Sequence, residues 1–244
     1  MDAISLHVLL IALLAVVQSL FGMGILVFGT PTLLLLGVDF TAVLGLLLPS
    51  SVLISSIQVV AGRQQPWSGR DLRNMALCAA IILVALSVLI RLNWKAQIDV
   101  WIGLTMLAAA ALRYWRPLQR RLRQVLGRWQ AGYVALMGTL HGLTNMGGAL
   151  LALYASNLHQ DKLAIRTTIA RYYLLFGLIQ LATLALLRPA ALSWQGLAVA
   201  PVAALAYVLA GNLLFKRAST SVYERGITVF IAIYGVAVLL KAQF

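Results

Sequence analysis

Long runs of hydrophobic residues dominate the chain, and shorter polar or basic segments separate them. Within the runs, apolar and polar residues do not alternate as in a barrel strand, so the runs predict helices. The eight runs cover residues 4–37, 41–61, 72–90, 97–114, 131–157, 164–187, 194–215 and 226–240. Most are long enough to cross the roughly 30 Å hydrocarbon core of a bilayer. The pattern predicts an all-α, polytopic helical membrane protein.

Composition supports the same class. Of the 244 residues, 62% are hydrophobic and only 10% are charged, which a soluble domain could not accommodate at its surface. The net charge of +13 predicts positively charged cytoplasmic loops and attraction to anionic membrane lipid. Nucleic-acid binding is not expected, because most of this charge lies in short loops.

Two of the runs are interrupted by glycines at matching positions. The segment QSLFGMGIL (18–26) aligns with HGLTNMGGAL (141–150), and after a one-residue slip the alignment continues for some forty residues. The aligned pairs are Gln18 with His141, Met23 with Met146, Gly24 with Gly147, Asp39 with Asp161, Ala42 with Ala164 and Gln58 with Gln180. We predict two homologous membrane repeats, at 1–112 and 130–244. The basic segment between them, 113–129, predicts an amphipathic linker helix on the cytoplasmic leaflet, with a solvated linker as the alternative.

The two breaks are candidate binding sites. Glycine frees backbone N–H and C=O groups, which a membrane tolerates only where they are buried in protein or line a cavity. Broken segments at matching positions of two halves point to a transporter's binding site, and the amide dipoles at half-helix N-termini suit an anion. We expect the two breaks to face each other near mid-bilayer. The alternative is a packing face of the GxxxG type, formed by Gly138 and Gly142.

Two topologies fit the runs. Either all eight runs span the membrane, or 4–37 and 131–157 form re-entrant hairpins that are each followed by three spans. The hairpin topology places five basic residues of the second half in the cytoplasm: Lys162, Arg166, Lys216, Arg217 and Arg225. It leaves Arg188 and Lys241 outside, and the eight-span topology reverses this. The positive-inside rule therefore favours hairpins, and three spans per half would make the repeats inverted.

Few charged residues lie deep in the runs. Every acidic residue lies in or beside a loop, which argues against a relay of carboxylates. Arg171 lies several residues inside its run, where an anion would be a natural partner, although snorkelling to the interface is the alternative. Arg166 is nearer the end of the run, and there snorkelling is favoured. Histidine side chains titrate near neutral pH, so His141 is the candidate for proton coupling. The alternative is a neutral histidine bonded to a helix carbonyl.

The predicted substrate-binding residues are the glycines of the breaks and nearby polar residues: Gly22, Gly24, Thr30, Thr144, Asn145, Gly147, Gly148, Arg171 and Tyr172. No catalytic residue, metal ligand or cofactor is predicted.

These glycine segments resemble the sulfite exporter TauE/SafE family, also called the TSUP family of anion transporters. The family motif G-x-x-x-G-x-x-G-x-G-G is matched in the second half by Gly138, Gly142, Asn145, Gly147 and Gly148, with Asn145 in place of a glycine. The following A-x-x-T-[ST] element is matched by Ala164, Thr167 and Thr168. The first half retains Gly22 and Gly24, followed by Pro31. The resemblance covers nearly the whole chain.

The resemblance implies a secondary transporter, or permease, for a small organic or sulfur-containing anion in the bacterial inner membrane. Sulfite, a sulfonate or a carboxylate would be the substrate, protons are a candidate coupling ion, and a homo-oligomer is compatible with the sequence. An enzyme is not predicted, because G-x-S-x-G, H-E-x-x-H and paired intramembrane aspartates are missing. The alternatives are a membrane-embedded enzyme, or a structural or assembly subunit whose glycines only pack helices.

Overall fold

The chain folds into a bundle of helices. A computed structural model describes residues 3–92, 98–217 and 219–241, and no strand occurs in these ranges. Five of the described helices are long and apolar enough to cross a membrane: Phe40–Ala61, Gly69–Leu92, Lys162–Leu187, Trp194–Arg217 and Thr220–Leu240. The prediction of an all-α polytopic membrane protein is confirmed.

Both halves contain a broken helix followed by three long helices. The helices of the first half are α1 (Ala3–Phe21), α2 (Ile25–Leu35), α3 (Phe40–Ala61), α4 (Gly69–Leu92) and α5 (Ile98–Tyr114). Those of the second half are α6 (Arg116–Thr144), α7 (Gly147–Leu158), α8 (Lys162–Leu187), α9 (Trp194–Ala206), α10 (Asn212–Arg217) and α11 (Thr220–Lys241). A π-helical turn at Tyr207–Gly211 joins α9 to α10, and a short 3₁₀ turn at Pro189–Ala191 precedes α9. The division into two halves stays a prediction, and this order supports it.

The bundle is apolar outside and contains polar groups inside. Large aliphatic side chains such as Val84, Leu186 and Ile233 are mostly exposed on the outer surface of the helices. Gln18 and His141, in contrast, are completely buried. This distribution suits a protein surrounded by hydrocarbon, with its polar chemistry in the interior.

The second break reverses the direction of the chain. Gly147 packs against His141, close to the break. Further along α7, the carbonyl of Leu150 accepts a hydrogen bond of 2.7 Å from the Tyr133 hydroxyl, and the Tyr154 ring stacks on the Tyr133 ring. Residues later in α7 thus contact residues earlier in α6, so the two helices form an antiparallel hairpin.

The first break has the same geometry. Gly24 packs against Gln18 and Leu14 of α1, and Gly29 in α2 again lies beside Leu14. At 11 and 12 residues, α2 and α7 extend only about 16 to 18 Å, well short of a roughly 30 Å hydrocarbon core. Neither 4–37 nor 131–157 therefore forms a single span, and the structure favours the hairpin topology.

Corresponding helices of the two halves pack antiparallel. Along the α3–α8 interface, Gly45 lies beside Ala191 just after α8, Val52 lies beside Gly177, and Gly62 lies beside Thr167. The α5–α11 interface shows the same order, with Gly103 beside Leu239 and Gly235 beside Leu107. Eight spans would make these partners parallel, because four crossings would separate them. Inversion of the repeats stays a prediction, and this packing supports it.

The predicted linker is helical and continuous with the second half. Its residues from Arg116 onward form the first part of α6, and the helix is kinked at Trp129, where φ is −125° and ψ is 34°. Leu122 and Leu126 are buried, whereas Arg128 is exposed, as expected for an amphipathic helix. The kink lies at the predicted end of the linker, which supports the boundary without testing the division into domains.

The helices α3 and α8 begin with the same type of cap. The Asp39 carboxylate accepts a 3.0 Å hydrogen bond from the Thr41 amide, and the Asp161 carboxylate accepts one of 2.9 Å from the Ala164 amide. The Thr41 hydroxyl also donates to Asp39 and holds the pKa of that carboxyl below its usual value. The residue pair aligned from the sequence therefore has one structural role in both halves.

Candidate functional site

At the first break, side chains from three helices bind carbonyls in the last turn of α1. Gln58 Nε2 donates to the Gln18 carbonyl at 3.0 Å, Arg166 Nη1 to the Ser19 carbonyl at 3.2 Å, and the Tyr223 hydroxyl to the Phe21 carbonyl at 3.2 Å. The Gln18 carbonyl also accepts from the Gly22 amide. Carbonyls in the last turn of a helix generally lack partners within it and are costly to bury unbonded. Side chains from α3, α8 and α11, distant in the sequence, therefore stabilise the C-terminal end of α1 at this break.

Gln18 connects the two arms of the first hairpin. Its side-chain oxygen accepts a 3.1 Å hydrogen bond from the Ile25 amide at the start of α2. Its amide nitrogen lies 3.4 Å from the Ser55 hydroxyl of α3. One of the free N–H groups at the start of α2 is thus already bonded. The predicted residues Gly22 and Gly24 shape this turn, the former with a positive φ of 75°.

At the second break, Asn145 connects three elements. Its side-chain nitrogen donates to the Thr30 hydroxyl of α2 at 2.7 Å, and its side-chain oxygen accepts from Gln180 of α8 at 3.3 Å. Thr144 acts locally, because its hydroxyl donates to the Leu140 carbonyl at 2.6 Å and accepts from the Met146 amide at 3.2 Å. The structure brings Thr30, Thr144 and Asn145 together, with their side-chain groups bonded to one another or to the backbone.

The half-helices α2 and α7 begin next to each other. A Cβ atom at Gly148 would overlap with the Tyr173 hydroxyl of α8 and with Val27 of α2, so only glycine fits there. The glycine neighbour Gly147 has a different role, since it allows α7 to approach α6 closely. The N-termini of the two half-helices thus lie close together, and the Tyr173 hydroxyl lies beside Gly148. A binding site between them stays a prediction.

The two breaks lie at different levels along α8. Gly22 packs against Arg166 and Ile169, whereas Asn145 bonds to Gln180. Arg166 and Gln180 are about 21 Å apart along the helix. The two hairpins therefore overlap lengthwise along α8.

Several buried polar groups beside the second hairpin have no hydrogen-bond partner in the described part of the chain. These are both ring nitrogens of His141 and the hydroxyls of Tyr172 and Tyr173. The His141 ring packs against Phe176, with 4.3 Å between ring centroids, and Gln180 is a polar neighbour. His141 therefore forms no hydrogen bond to a helix carbonyl in the described part of the chain, which was the alternative to proton coupling. These groups remain available to a ligand.

Arg171 lies apart from the second break. Its guanidinium donates to the Gln65 carbonyl at 2.5 Å and to the Pro66 carbonyl at 3.0 Å, and it stacks on the Trp67 ring at 4.0 Å. Its Nε is buried without a hydrogen-bond partner in the described part of the chain. Arg171 is 7% exposed and bound to the α3–α4 loop, so it does not snorkel freely into solvent.

Arg166 is buried, whereas the sequence favoured a side chain that snorkels to the membrane interface. It is 5% exposed, its Cγ packs against Gly22, and its guanidinium stacks on the Phe215 ring at 3.5 Å. The signal for this position was its spacing, because Arg166, Tyr173 and Gln180 are seven residues apart and share one face of α8.

The predicted GxxxG packing face exists as well. Gly138 packs against Cys78, and Gly142 packs against Ala85, both in α4. Helix packing therefore explains these two glycines, whereas Gly147 and Gly148 are explained by the hairpin and by Tyr173.

A cavity of about 640 Å³ lies near the ends of α5, α7 and α11. Arg113 lies at its wall and forms an ion pair with Glu224, and it also donates to Thr228 at 3.0 Å and Ser156 at 3.2 Å. The cavity is also lined by His159, whose pKa is lowered by burial. This polar cavity adjoins the basic loops that charge assigns to the cytoplasm.

Comparison with known proteins identifies the family. The family described as Sulfite exporter TauE/SafE matches residues 7–238, which is nearly the whole chain. Comparisons with curated proteins and with solved structures gave no significant match. The match confirms the resemblance seen in the glycine motifs, and the apolar helices agree with a multi-pass membrane protein. The chain belongs to the sulfite exporter TauE/SafE family of membrane transporters.

Proposed function

We propose that the protein is a secondary transporter that carries a small organic or sulfur-containing anion across the bacterial inner membrane. Sulfite, a sulfonate or a carboxylate is the proposed substrate class. One observation carries the proposal: buried polar groups without partners line the second hairpin beside α8, and no carboxylate is among them. Such groups are costly unless something bonds to them, and hydroxyl and imidazole N–H donors suit an anion.

The predicted residues fall into three roles in this proposal. Tyr172 and the Nε of Arg171 would contact an anion arriving from the side of the α3–α4 loop, since both are buried and unbonded. Thr30 and Asn145 would hold the hairpins together while the site is closed. Four glycines and one threonine shape the backbone at the breaks: Gly22, Gly24, Gly147, Gly148 and Thr144.

His141 is the proposed coupling residue. Its two ring nitrogens have no partner, and both the anion and a proton could therefore bind there. An imidazolium next to the bound anion would be stabilised by it, so the proton and the anion would favour each other's binding. This would make the transporter a symporter with protons.

The two alternatives make different predictions. A membrane enzyme would need a nucleophile beside His141, and the ring instead contacts Phe176 and Tyr173. An assembly subunit would need only packing, which accounts for Gly138 and Gly142. Packing alone leaves the donors of Tyr172 and Tyr173 without an explanation.

The first experiment is thermal unfolding of the purified protein with a panel of anions: sulfite, thiosulfate, methanesulfonate and acetate. We expect concentration-dependent stabilisation by one class, stronger at pH 6 than at pH 8 because His141 would then share in binding. Uptake into proteoliposomes should return the anion chemically unchanged. No stabilisation together with no uptake would reject the transport proposal, and a modified product would favour the enzyme.

A further inference from the structure

Arg166 is a buried cation that forms no ion pair with a carboxylate in the described part of the chain. Its side chain makes one hydrogen bond, to the Ser19 carbonyl, and stacks on Phe215. Within the described ranges, the one ion pair between side chains joins Arg113 to Glu224, on another part of the protein. Burying a guanidinium away from water is costly, and such groups in membrane proteins are usually paired or functional.

Two polar groups near Arg166 are buried and unsatisfied. The Tyr207 hydroxyl and the Gln58 side-chain oxygen have no hydrogen-bond partner, and these residues are only 1% and 2% exposed. The π-helical turn that begins at Tyr207 packs on Ser19 through Gly211. Arg166 bonds the carbonyl of the same Ser19 and stacks on Phe215, which follows that turn. The guanidinium and the hydroxyl are both hydrogen-bond donors in this part of the bundle.

The repeat does not require a charge at this position. The one-residue slip that aligns Asp39 with Asp161 also aligns Leu44 with Arg166, and Leu44 is fully buried. The architecture of a hairpin beside a long helix is thus built with leucine in one half. Arginine in the other half calls for a purpose of its own.

Capping of α1 explains only part of the arrangement. A cation is favourable at the C-terminal end of a helix, and Nη1 of Arg166 bonds a free carbonyl there. This accounts for one of the five N–H groups of the guanidinium, and it leaves the Tyr207 hydroxyl without a role.

We propose that Arg166 and Tyr207, at the edge of the first break, form a binding site for an oxyanion. The inference rests on the proposed transport function and adds to it a second binding position, with a charged ligand. A carboxylate, sulfonate or sulfite presents two oxygens to the planar guanidinium fork, and the Tyr207 hydroxyl donates to a third position or to one of the two. When no anion is bound, the hydroxyl faces Gln58.

The site lies on the same face of α8 as Tyr173, two helical turns away. The separation of about 10 Å along the helix is short enough for an anion to pass from one position to the other in a small movement of the hairpins. Arg166 would thus hold the anion on the side where α8 begins, and the donors near His141 would hold it further along.

The test measures anion affinity by thermal unfolding, with sulfite and methanesulfonate as probes at constant ionic strength. Arg166→Gln removes the charge and keeps a donor for the Ser19 carbonyl. Tyr207→Phe removes only the hydroxyl. Arg217→Gln is the matched control, because Arg217 is exposed and its neighbour Lys216 lies beside the start of α8.

We expect Arg166→Gln to weaken the apparent Kd about 10- to 100-fold and Tyr207→Phe roughly 2- to 10-fold, with Arg217→Gln unchanged. If Arg166 only caps α1, Arg166→Gln will lower the Tm equally with and without anion and leave the Kd unchanged, which overturns the site. If Arg166→Gln cannot be purified folded, an unchanged Kd of Tyr207→Phe overturns it. If the wild-type protein neither binds nor takes up these anions, the transport function itself is rejected.

Discussion

Asn145 adopts in the second half the left-handed backbone conformation that Gly22 adopts in the first. Their φ angles are 62° and 75°, and each amide donates a 2.8 Å hydrogen bond to the carbonyl four residues earlier. The alignment that pairs Gly24 with Gly147 also pairs these two residues. Asparagine tolerates this conformation better than other non-glycine residues. The second half thus keeps the turn and gains a side chain that binds Thr30 and Gln180.

The first prediction compares two substitutions of Asn145. Asn145→Leu should lower the free energy of unfolding by about 3 kcal/mol, because it strains the left-handed backbone and leaves Thr30 and Gln180 unbonded. Asn145→Gly should cost roughly half of this, because glycine removes only the hydrogen bonds. Unfolding of the purified protein by denaturant or heat measures both. Leu150→Ala at a nearby buried position serves as the comparison for anion binding, which Asn145→Leu should impair more. Equal effects on binding would favour a packing role for the second break.

The second prediction concerns the contact between Gly148 and Tyr173. Gly148→Ala should destabilise the protein by roughly 2 kcal/mol, because its methyl group would overlap with the Tyr173 hydroxyl. Tyr173→Phe should cost little stability, because that hydroxyl has no partner to lose. The double variant should recover part of the loss, with a coupling of about 1 kcal/mol in a double-mutant cycle. The rescue is partial because Val27 also contacts this position. Simple additivity of the two changes would show that the residues are not in contact.

The third prediction concerns Arg171. Arg171→Ala should reduce transport at least about 10-fold while the protein remains folded in detergent, because the variant removes a buried, unbonded N–H that is proposed to contact the anion. Trp67→Leu is the control, since it removes the ring under the guanidinium and retains the charge. It should keep most of the activity. Equal losses in the two variants would assign Arg171 to fastening the α3–α4 loop.

The fourth prediction concerns orientation. With two re-entrant hairpins and the basic loops inside, both termini should lie outside the cytoplasm. A C-terminal fusion to green fluorescent protein should be dark in a bacterial host, and a fusion to alkaline phosphatase should be active. A fusion truncated after Arg128, within the basic linker, should fluoresce and provides the positive control. Strong fluorescence from the full-length fusion would contradict this orientation.

The fifth prediction concerns the equivalent caps Asp39 and Asp161. Asp39→Ala and Asp161→Ala should each cost about 1 kcal/mol at pH 7, whereas substitution by Asn, which also caps helices, should cost less. The pKa of Asp39 is lowered in the folded protein by Thr41. Its stabilising effect is therefore present above the usual pKa of about 3.9 and is lost as the pH falls through the lower folded pKa. Thermal unfolding between pH 7 and pH 3 should show the cost of Asp39→Ala shrinking below about pH 4. A cost that is independent of pH would contradict an ionised cap.

The sequence predicted the features that depend on local pattern. Glycines at matching positions located both breaks, because backbone conformation depends on the local residues. The alignment paired Asp39 with Asp161, and the structure adds that both cap a helix. The reversal at each break followed from charge in the loops and from the short half-helices that the glycines leave.

Features that depend on distant contacts were not predictable in this way. The hydrogen bond from Asn145 to Thr30 joins residues 115 positions apart, and no periodicity encodes it. Arg166 lies within two turns of a helix end, so its position along the chain resembles that of a snorkelling residue. Only the placement of the first hairpin beside α8 shows that this end of the helix is covered by protein. The partners of Arg171 lie in a loop, whose course a single sequence does not specify.

The antiparallel packing of α3 on α8 has an energetic consequence for a carrier. If the two halves were identical, exchanging their conformations would turn an outward-facing molecule into an inward-facing one of equal free energy. The resting balance between the two orientations would then be even. The halves differ, for example, at Leu44 against Arg166 and at Gly22 against Asn145. Each such difference adds interactions to one of the two conformations and thereby changes the free-energy difference between them. The preferred resting orientation of such a carrier would thus be set by the residues at which the two halves differ.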